Sequence, residues 1–64
     1  MSEEQYNTQR SKLVNDFWFL KSKRLFLSAK ARIRKIADLD FLYNGTDREE
    51  TKRKFNYYNI KTEQ

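Results

Sequence analysis

The chain has 64 residues, with 14 Lys or Arg against 9 Asp or Glu (net charge +5), and it contains one Gly and no His, Cys or Pro. This length limits residues 1–64 to a single small domain, and the absence of Cys excludes disulfides and thiolate metal sites. Without His, the chain lacks the commonest general base and metal ligand. We therefore expect no enzyme activity, no catalytic residues, no metal and no cofactor.

The composition points to a protein that gains buried area from another molecule. Charged residues make up 36% of the chain, which is high for a closed core, and hydrophobic residues make up 38%. Chains of this size often depend on disulfides, a metal or oligomerisation for stability. We therefore expect self-association, such as a dimer, or folding that depends on a partner.

The first residues contain two carboxylates and no apolar stretch, so the sequence predicts no secretory signal. The longest apolar run, Phe17–Leu20, is far shorter than the ~20 residues of a membrane-spanning helix. We expect a cytoplasmic location, in the host cytoplasm if the protein is viral. The frequent Lys, Asn, Phe and Tyr are a bias associated with AT-rich genomes, such as those of many phages.

Local signals predict helix almost throughout the chain. Ser2, with Gln5 three residues later, predicts a capping box at the start of a first helix. The Asn-Gly pair ending at Gly45 is the clearest helix stop, because Gly readily takes the left-handed conformation after a helix. Thr46, with Glu49 three residues later, predicts a second capping box.

The apolar residues before Gly45 fall on two lines at helical spacing, whereas a lone surface helix has one. The first line contains Trp18, Leu25, Ala29, Ile33 and Ile36, flanked by Phe26 and Ala37, and the second contains Leu13, Phe17, Leu20, Leu27 and Ala31. Two lines indicate either one long helix in a helical hairpin or a break at residues 21–24. We favour the break, which gives a small all-α three-helix domain of about 3–20, 25–43 and 47–59.

The net charge varies strongly along the chain: −1 over residues 1–20, +7 over 21–37, −4 over 38–50 and +3 over 51–64. A helix spanning 21–37 can pack an apolar stripe on a core while its basic flanks meet phosphates. A solvated face is the simpler alternative, and a contact with a protein or a membrane is a third. We predict a nucleic-acid contact in a regulatory or accessory role, carried by Lys21, Lys23, Arg24, Lys30, Arg32, Arg34 and Lys35 with help from Lys52, Arg53 and Lys54.

The aromatic residues support a second interpretation from another class. Trp and Tyr are typical of the residues that dominate protein interfaces, and Phe17, Trp18, Phe19 and Tyr57 are the candidates for binding a larger protein. Core packing is the simpler interpretation for Phe17 and Trp18, whereas Phe19 and Tyr57 are expected to face outward. The alternative function is a phage- or mobile-element-type modulator that inhibits or redirects a larger host protein.

Overall fold

The structure is a computed structural model that describes residues 1–61. It contains three helices and, within those residues, no strand: α1 (Glu3–Ser22), α2 (Phe26–Asn44) and α3 (Arg48–Lys61). The predicted all-α three-helix fold is confirmed, and so is the break between the first two helices. The helical hairpin built on one long helix is therefore excluded.

Helix α1 begins at the predicted capping box. The Ser2 hydroxyl accepts a hydrogen bond from the Gln5 backbone N–H at 3.1 Å, and the Gln5 side chain accepts one from the Ser2 N–H at 3.1 Å. Glu3 and Glu4 lie in the first turn, where carboxylates interact favourably with the helix dipole. This end of α1 is specified entirely by neighbouring residues in the sequence.

Helix α1 ends in a Schellman motif without glycine. The Leu25 N–H donates to the Leu20 carbonyl at 2.9 Å, and the Arg24 N–H donates to the Lys21 carbonyl at 3.0 Å. Arg24 occupies the left-handed position, with φ of 61°. The chain therefore reverses direction between α1 and α2 through a non-glycine residue in a conformation that normally favours glycine.

In the second turn, the predicted end of α2 is confirmed, but the predicted start of the next helix is not. Gly45 is left-handed, with φ of 72°, and its N–H donates to the Phe41 carbonyl at 3.0 Å. The predicted capping box of Thr46 and Glu49 is wrong by one residue, because it is Asp47 whose carboxylate accepts from the Glu49 N–H at 3.1 Å. Helix α3 accordingly begins at Arg48.

The core lies between α2 and its two neighbours, and α2 contacts both α1 and α3. The buried residues of this core are Phe17, Ala29, Ile33, Ile36 and Phe55, with Leu13, Val14 and Leu20 packed against them. The line of apolar residues predicted through Leu13 and Phe17 does not continue into α2, where Leu27 and Ala31 are exposed. The turn between the helices changes the phase of the pattern, so each line is buried only in part.

The helices run up, down and up, which places unlike charges at the two ends of a molecule 37 Å long. Tyr6 stacks on Tyr43 at one end, and Trp18 contacts Tyr58 at the other. The start of α1, the end of α2 and the start of α3 form an acidic end that contains Glu3, Glu4, Asp38, Asp47, Glu49 and Glu50. The turn between α1 and α2 forms a basic end that contains Lys23 and Arg24.

Candidate nucleic-acid interface

The side of α2 that faces away from the core carries three of the ten predicted basic residues. Lys30, Arg34 and Lys35 are exposed there beside Leu27 and Ala31. Helical spacing brings Leu27, Lys30, Ala31 and Arg34 together around a shallow depression. We call these five residues the outer face of α2.

The Lys and Arg side chains of the outer face have no carboxylate partner among the described residues. Among the side chains of residues 1–59, none of the four ion pairs or the side-chain hydrogen bonds involves Lys30, Arg34 or Lys35. No Asp or Glu occurs between residues 17 and 37. The positive potential of this face is therefore available to an anionic partner.

Two further bases lie at the basic end, beside the outer face. Lys23 and Arg24 are exposed at the turn between α1 and α2. The Lys23 ammonium lies 5.8 Å from the centre of the Phe19 ring, within the range of a weak cation–π contact. Both charges remain accessible to solvent.

Arg32 lies on the flank of α2 that faces α1, unlike its neighbours on the outer face. Its Nε is 3.9 Å from the Asp16 carboxylate, which is too long for a hydrogen bond. This Nε is buried and has no hydrogen-bond partner among the described residues. Arg32 therefore contributes charge to the region but is only half-exposed.

The bases of α3 are divided in the same way. Arg53 and Lys54 are exposed, whereas Lys52 is half-buried and its Nζ lies 3.6 Å from a Glu49 carboxylate oxygen. These residues belong to a different helix from the outer face of α2. Nothing in the contacts of the described residues joins the two basic groups into one surface.

Lys21 does not belong to any exposed basic surface, contrary to the sequence prediction. Only 7% of the residue is exposed, and its Nζ lies 4.4 Å from the centre of the Trp18 ring and 6.0 Å from that of Tyr58. Desolvation by burial lowers the pKa of the Lys21 ammonium below its usual value. A phosphate cannot reach this ammonium unless the aromatic side chains move.

The four aromatic residues predicted to bind a partner occupy different environments. Phe17 is fully buried and packs edge-to-face on Phe55 with ring centres 5.3 Å apart, so it cannot contact a partner in this fold. Trp18 is partly exposed beside Tyr58, while Phe19 and Tyr57 are both more than half exposed. The expectation that Phe19 and Tyr57 face outward is confirmed.

Sequence reasoning missed a buried carboxylate that joins all three helices. Asp40 of α2 accepts hydrogen bonds from the Tyr6 hydroxyl at 2.7 Å and from Arg10 Nε at 3.0 Å, both on α1. It also accepts a longer bond of 3.4 Å from the Thr51 hydroxyl of α3. Asn44 donates to the Tyr6 oxygen at 2.9 Å, which completes the network.

The network changes the acid–base properties of its members. Burial, followed by the hydrogen bond to Asp40, raises the pKa of Tyr6 above its usual value. The hydrogen bond to Asp40 also raises the pKa of the Arg10 guanidinium, which strengthens its hold on the proton. A sequence signal for the network exists, since Asp40 follows Ile33 and Ile36 at the spacing of the buried side of α2.

Two leucines of α2 are exposed. Leu27 was expected to pack as part of the second apolar line, and Leu42 lies on neither predicted line. Leu27 is 86% exposed near the start of the helix, and Leu42 is 73% exposed near its end. Within the described residues, no group of three or more His, Cys, Asp or Glu side chains is arranged to hold a metal ion.

Comparison with known proteins adds no information about this site. The chain matches no protein-family model, no curated protein and no solved structure. The arrangement of charged and apolar side chains is accordingly the only basis for a functional conclusion.

Proposed function

We propose that the protein is a small, non-enzymatic binding protein that contacts nucleic acid through the outer face of α2, in a regulatory or accessory role. The observation that supports this proposal is the set of exposed bases Lys30, Arg34 and Lys35, which no carboxylate within residues 1–59 pairs. Contacts of this kind bind the phosphate backbone and depend little on base sequence.

The test is a titration of labelled single-stranded DNA, duplex DNA and RNA at several salt concentrations, followed by fluorescence anisotropy. Arg34→Glu is the test variant. Lys12→Glu is the matched control, because Lys12 is exposed on α1 and the two substitutions change the net charge equally. We expect Arg34→Glu to weaken binding to every sequence and to reduce the slope of log K against log salt by about one unit.

The control separates a specific surface from general electrostatic attraction. If the outer face carries the contact, Lys12→Glu keeps nearly the wild-type slope. Equal losses of affinity in the two variants would show that net charge alone drives the association. An affinity that does not change with salt concentration would show that phosphates are not the target.

A larger protein is the second candidate partner, and the exposure of Phe19 favours it. This ring is 59% exposed at the end of α1. Affinity purification from the native host, with and without nuclease, distinguishes the candidates, since a protein partner survives nuclease treatment. Phe19→Ala should then abolish the complex without changing the helix content. Leu42→Ala, at the opposite end, should leave the complex intact.

A further inference from the structure

The basic end combines its charges with large exposed apolar side chains. Leu27 protrudes most, and Leu25 is 51% exposed in the turn itself. Phe19 and Trp18 expose part of their rings one turn earlier, in α1. Large apolar side chains grouped in this way on a small protein mark a contact surface.

The charges that flank Leu25 and Leu27 are all positive. Lys23 and Arg24 flank Leu25 in the turn, and Lys30 follows in the first turns of α2. Apart from Asp16, which lies 3.9 Å from Arg32, the exposed carboxylates of the described residues lie towards the acidic end of a molecule 37 Å long. The partner of the basic end is therefore anionic and also offers an apolar environment.

The shape of the basic end restricts the partner further. The exposed side chains come from the end of α1, the turn and the first turn of α2, which form the tip of the molecule, and Arg24, Leu25 and Leu27 line a wide, open depression there. A rigid protein would need a surface that matches both the protruding Leu27 and this open depression, whereas a fluid lipid layer adapts to an irregular surface. The phosphates of a nucleic acid would contact the Lys and Arg side chains but would leave Leu25 and Leu27 in water.

We propose that the basic end attaches to the surface of membranes that contain anionic lipids. Leu25 and Leu27 enter the layer at the level of the headgroups, and Lys23 and Arg24 contact the lipid charges. This is surface attachment, since no helix within residues 1–61 is long and apolar enough to cross a membrane. The proposal does not depend on the nucleic-acid proposal, because its contact residues are Lys23, Arg24, Leu25 and Leu27, of which only the uncharged Leu27 also belongs to the outer face of α2.

The experiment uses the full chain and lipid vesicles. Trp18 is the only tryptophan and lies at the basic end, so its fluorescence reports directly on insertion. Vesicles of phosphatidylcholine alone are compared with vesicles that also contain phosphatidylglycerol, by co-sedimentation and by the emission maximum of Trp18. We expect co-sedimentation and a blue shift with the anionic vesicles only.

Two sets of variants test the assignment of residues. Leu25→Ser with Leu27→Ser should lower the partition coefficient by about tenfold or more, while Leu42→Ser, an exposed leucine at the other end of the same helix, should leave it unchanged. Lys23→Gln with Arg24→Gln should lower it by about fivefold for each base removed. Circular dichroism verifies that each variant keeps its helices.

Several outcomes would overturn the proposal. Equal binding to neutral and anionic vesicles would show that Lys23 and Arg24 do not contribute. A partition coefficient lowered as much by Leu42→Ser as by Leu25→Ser with Leu27→Ser would show that the basic end is not the site of attachment. Sedimentation without lipid that rises with protein concentration, and that Leu25→Ser with Leu27→Ser abolishes, would show that a second copy of the chain covers these residues instead.

Discussion

Asp40 is buried among hydrogen-bond donors, and such a residue can contribute strongly to the stability of the fold. Its carboxylate holds α1 through Tyr6 and Arg10 and reaches α3 through Thr51. Removing a buried charged acceptor leaves its donors unsatisfied, and this cost exceeds the net value of the bonds. Asp38, two residues earlier, makes an exposed ion pair with Arg48 at 2.7 Å, where solvent screening is strong.

We therefore expect Asp40→Asn to lower the free energy of unfolding by about 2–3 kcal/mol, and Asp38→Asn to lower it by less than about 1 kcal/mol. Urea denaturation followed by circular dichroism measures both values. Equal losses in the two variants would mean that the network around Asp40 adds nothing beyond a surface ion pair.

Lys21 makes the stability of the protein dependent on pH. Because the folded state lowers its pKa, the unfolded state binds more protons as pH approaches the ordinary lysine value of 10.5. Stability therefore rises as pH increases through the lowered pKa of Lys21. Tyr6 acts in the opposite sense, but only above its ordinary pKa of 10.0, since its folded pKa is raised.

We expect Lys21→Met to increase the free energy of unfolding at neutral pH, because the variant removes a desolvated charge while keeping the volume. The gain should shrink as pH rises towards 10, where wild-type Lys21 loses its proton. Urea denaturation at a series of pH values measures this difference. A gain that is constant with pH would show that packing, and not charge, distinguishes the variant.

Lys21 also marks the limit of sequence prediction at the scale of a residue. A run of bases identifies a charged segment, but burial depends on which neighbours cover each side chain. Lys21 is covered by Trp18 of its own helix and Tyr58 of α3, and the latter contact joins residues 37 positions apart. No local pattern specifies such a contact.

At the scale of the helices, two turns of similar geometry differ in the residue that occupies the left-handed position. Gly45 takes it without steric cost, and a Cβ added there would meet no atom within 4 Å. Arg24 takes it with φ of 61° at a cost of about 1 kcal/mol, because its Cβ crowds the backbone. The two turns therefore respond to substitution in opposite ways.

We expect Arg24→Gly to raise the free energy of unfolding, and Gly45→Ala to lower it, by about 1 kcal/mol each. Thermal and urea denaturation provide the measurement, and Arg24→Gln is the control for the lost charge. Destabilisation by Arg24→Gly would show that the Arg24 side chain contributes more than its backbone strain costs.

The helices were predictable to within a few residues because their ends depend on local chemistry. The hydrogen bonds of Ser2 with Gln5 and the left-handed Gly45 are both readable from the sequence. The packing of each helix was less predictable. Leu27 continues the line of Phe17 only if the helix is unbroken, and the turn at Arg24 directs it to solvent.

At the scale of the whole molecule, Phe17 is the residue on which the core depends most. It is fully buried and packs against Phe55 of α3 beside the isoleucines of α2. A single core in a domain of this size supplies only about 3–5 kcal/mol of stability. Truncating a buried Phe costs about as much.

We therefore expect Phe17→Ala to unfold the protein at 25 °C, with loss of the helical circular dichroism signal. Phe19→Ala makes the same chemical change at an exposed position two residues away and should alter the free energy of unfolding by about 0.5 kcal/mol or less. A folded Phe17→Ala variant would mean that the three helices hold together without the ring contacts between α1 and α3.

The separation of charge between the two ends also affects how the protein reaches a charged partner. A body with opposite charges at its ends has a dipole moment along its long axis, and the field of a polyanion exerts a torque on it before any contact. The molecule therefore approaches with the turn between α1 and α2 leading. Association with an anionic surface through the proposed contact at the basic end is then expected to be fastest at low ionic strength, where the field extends over several nanometres.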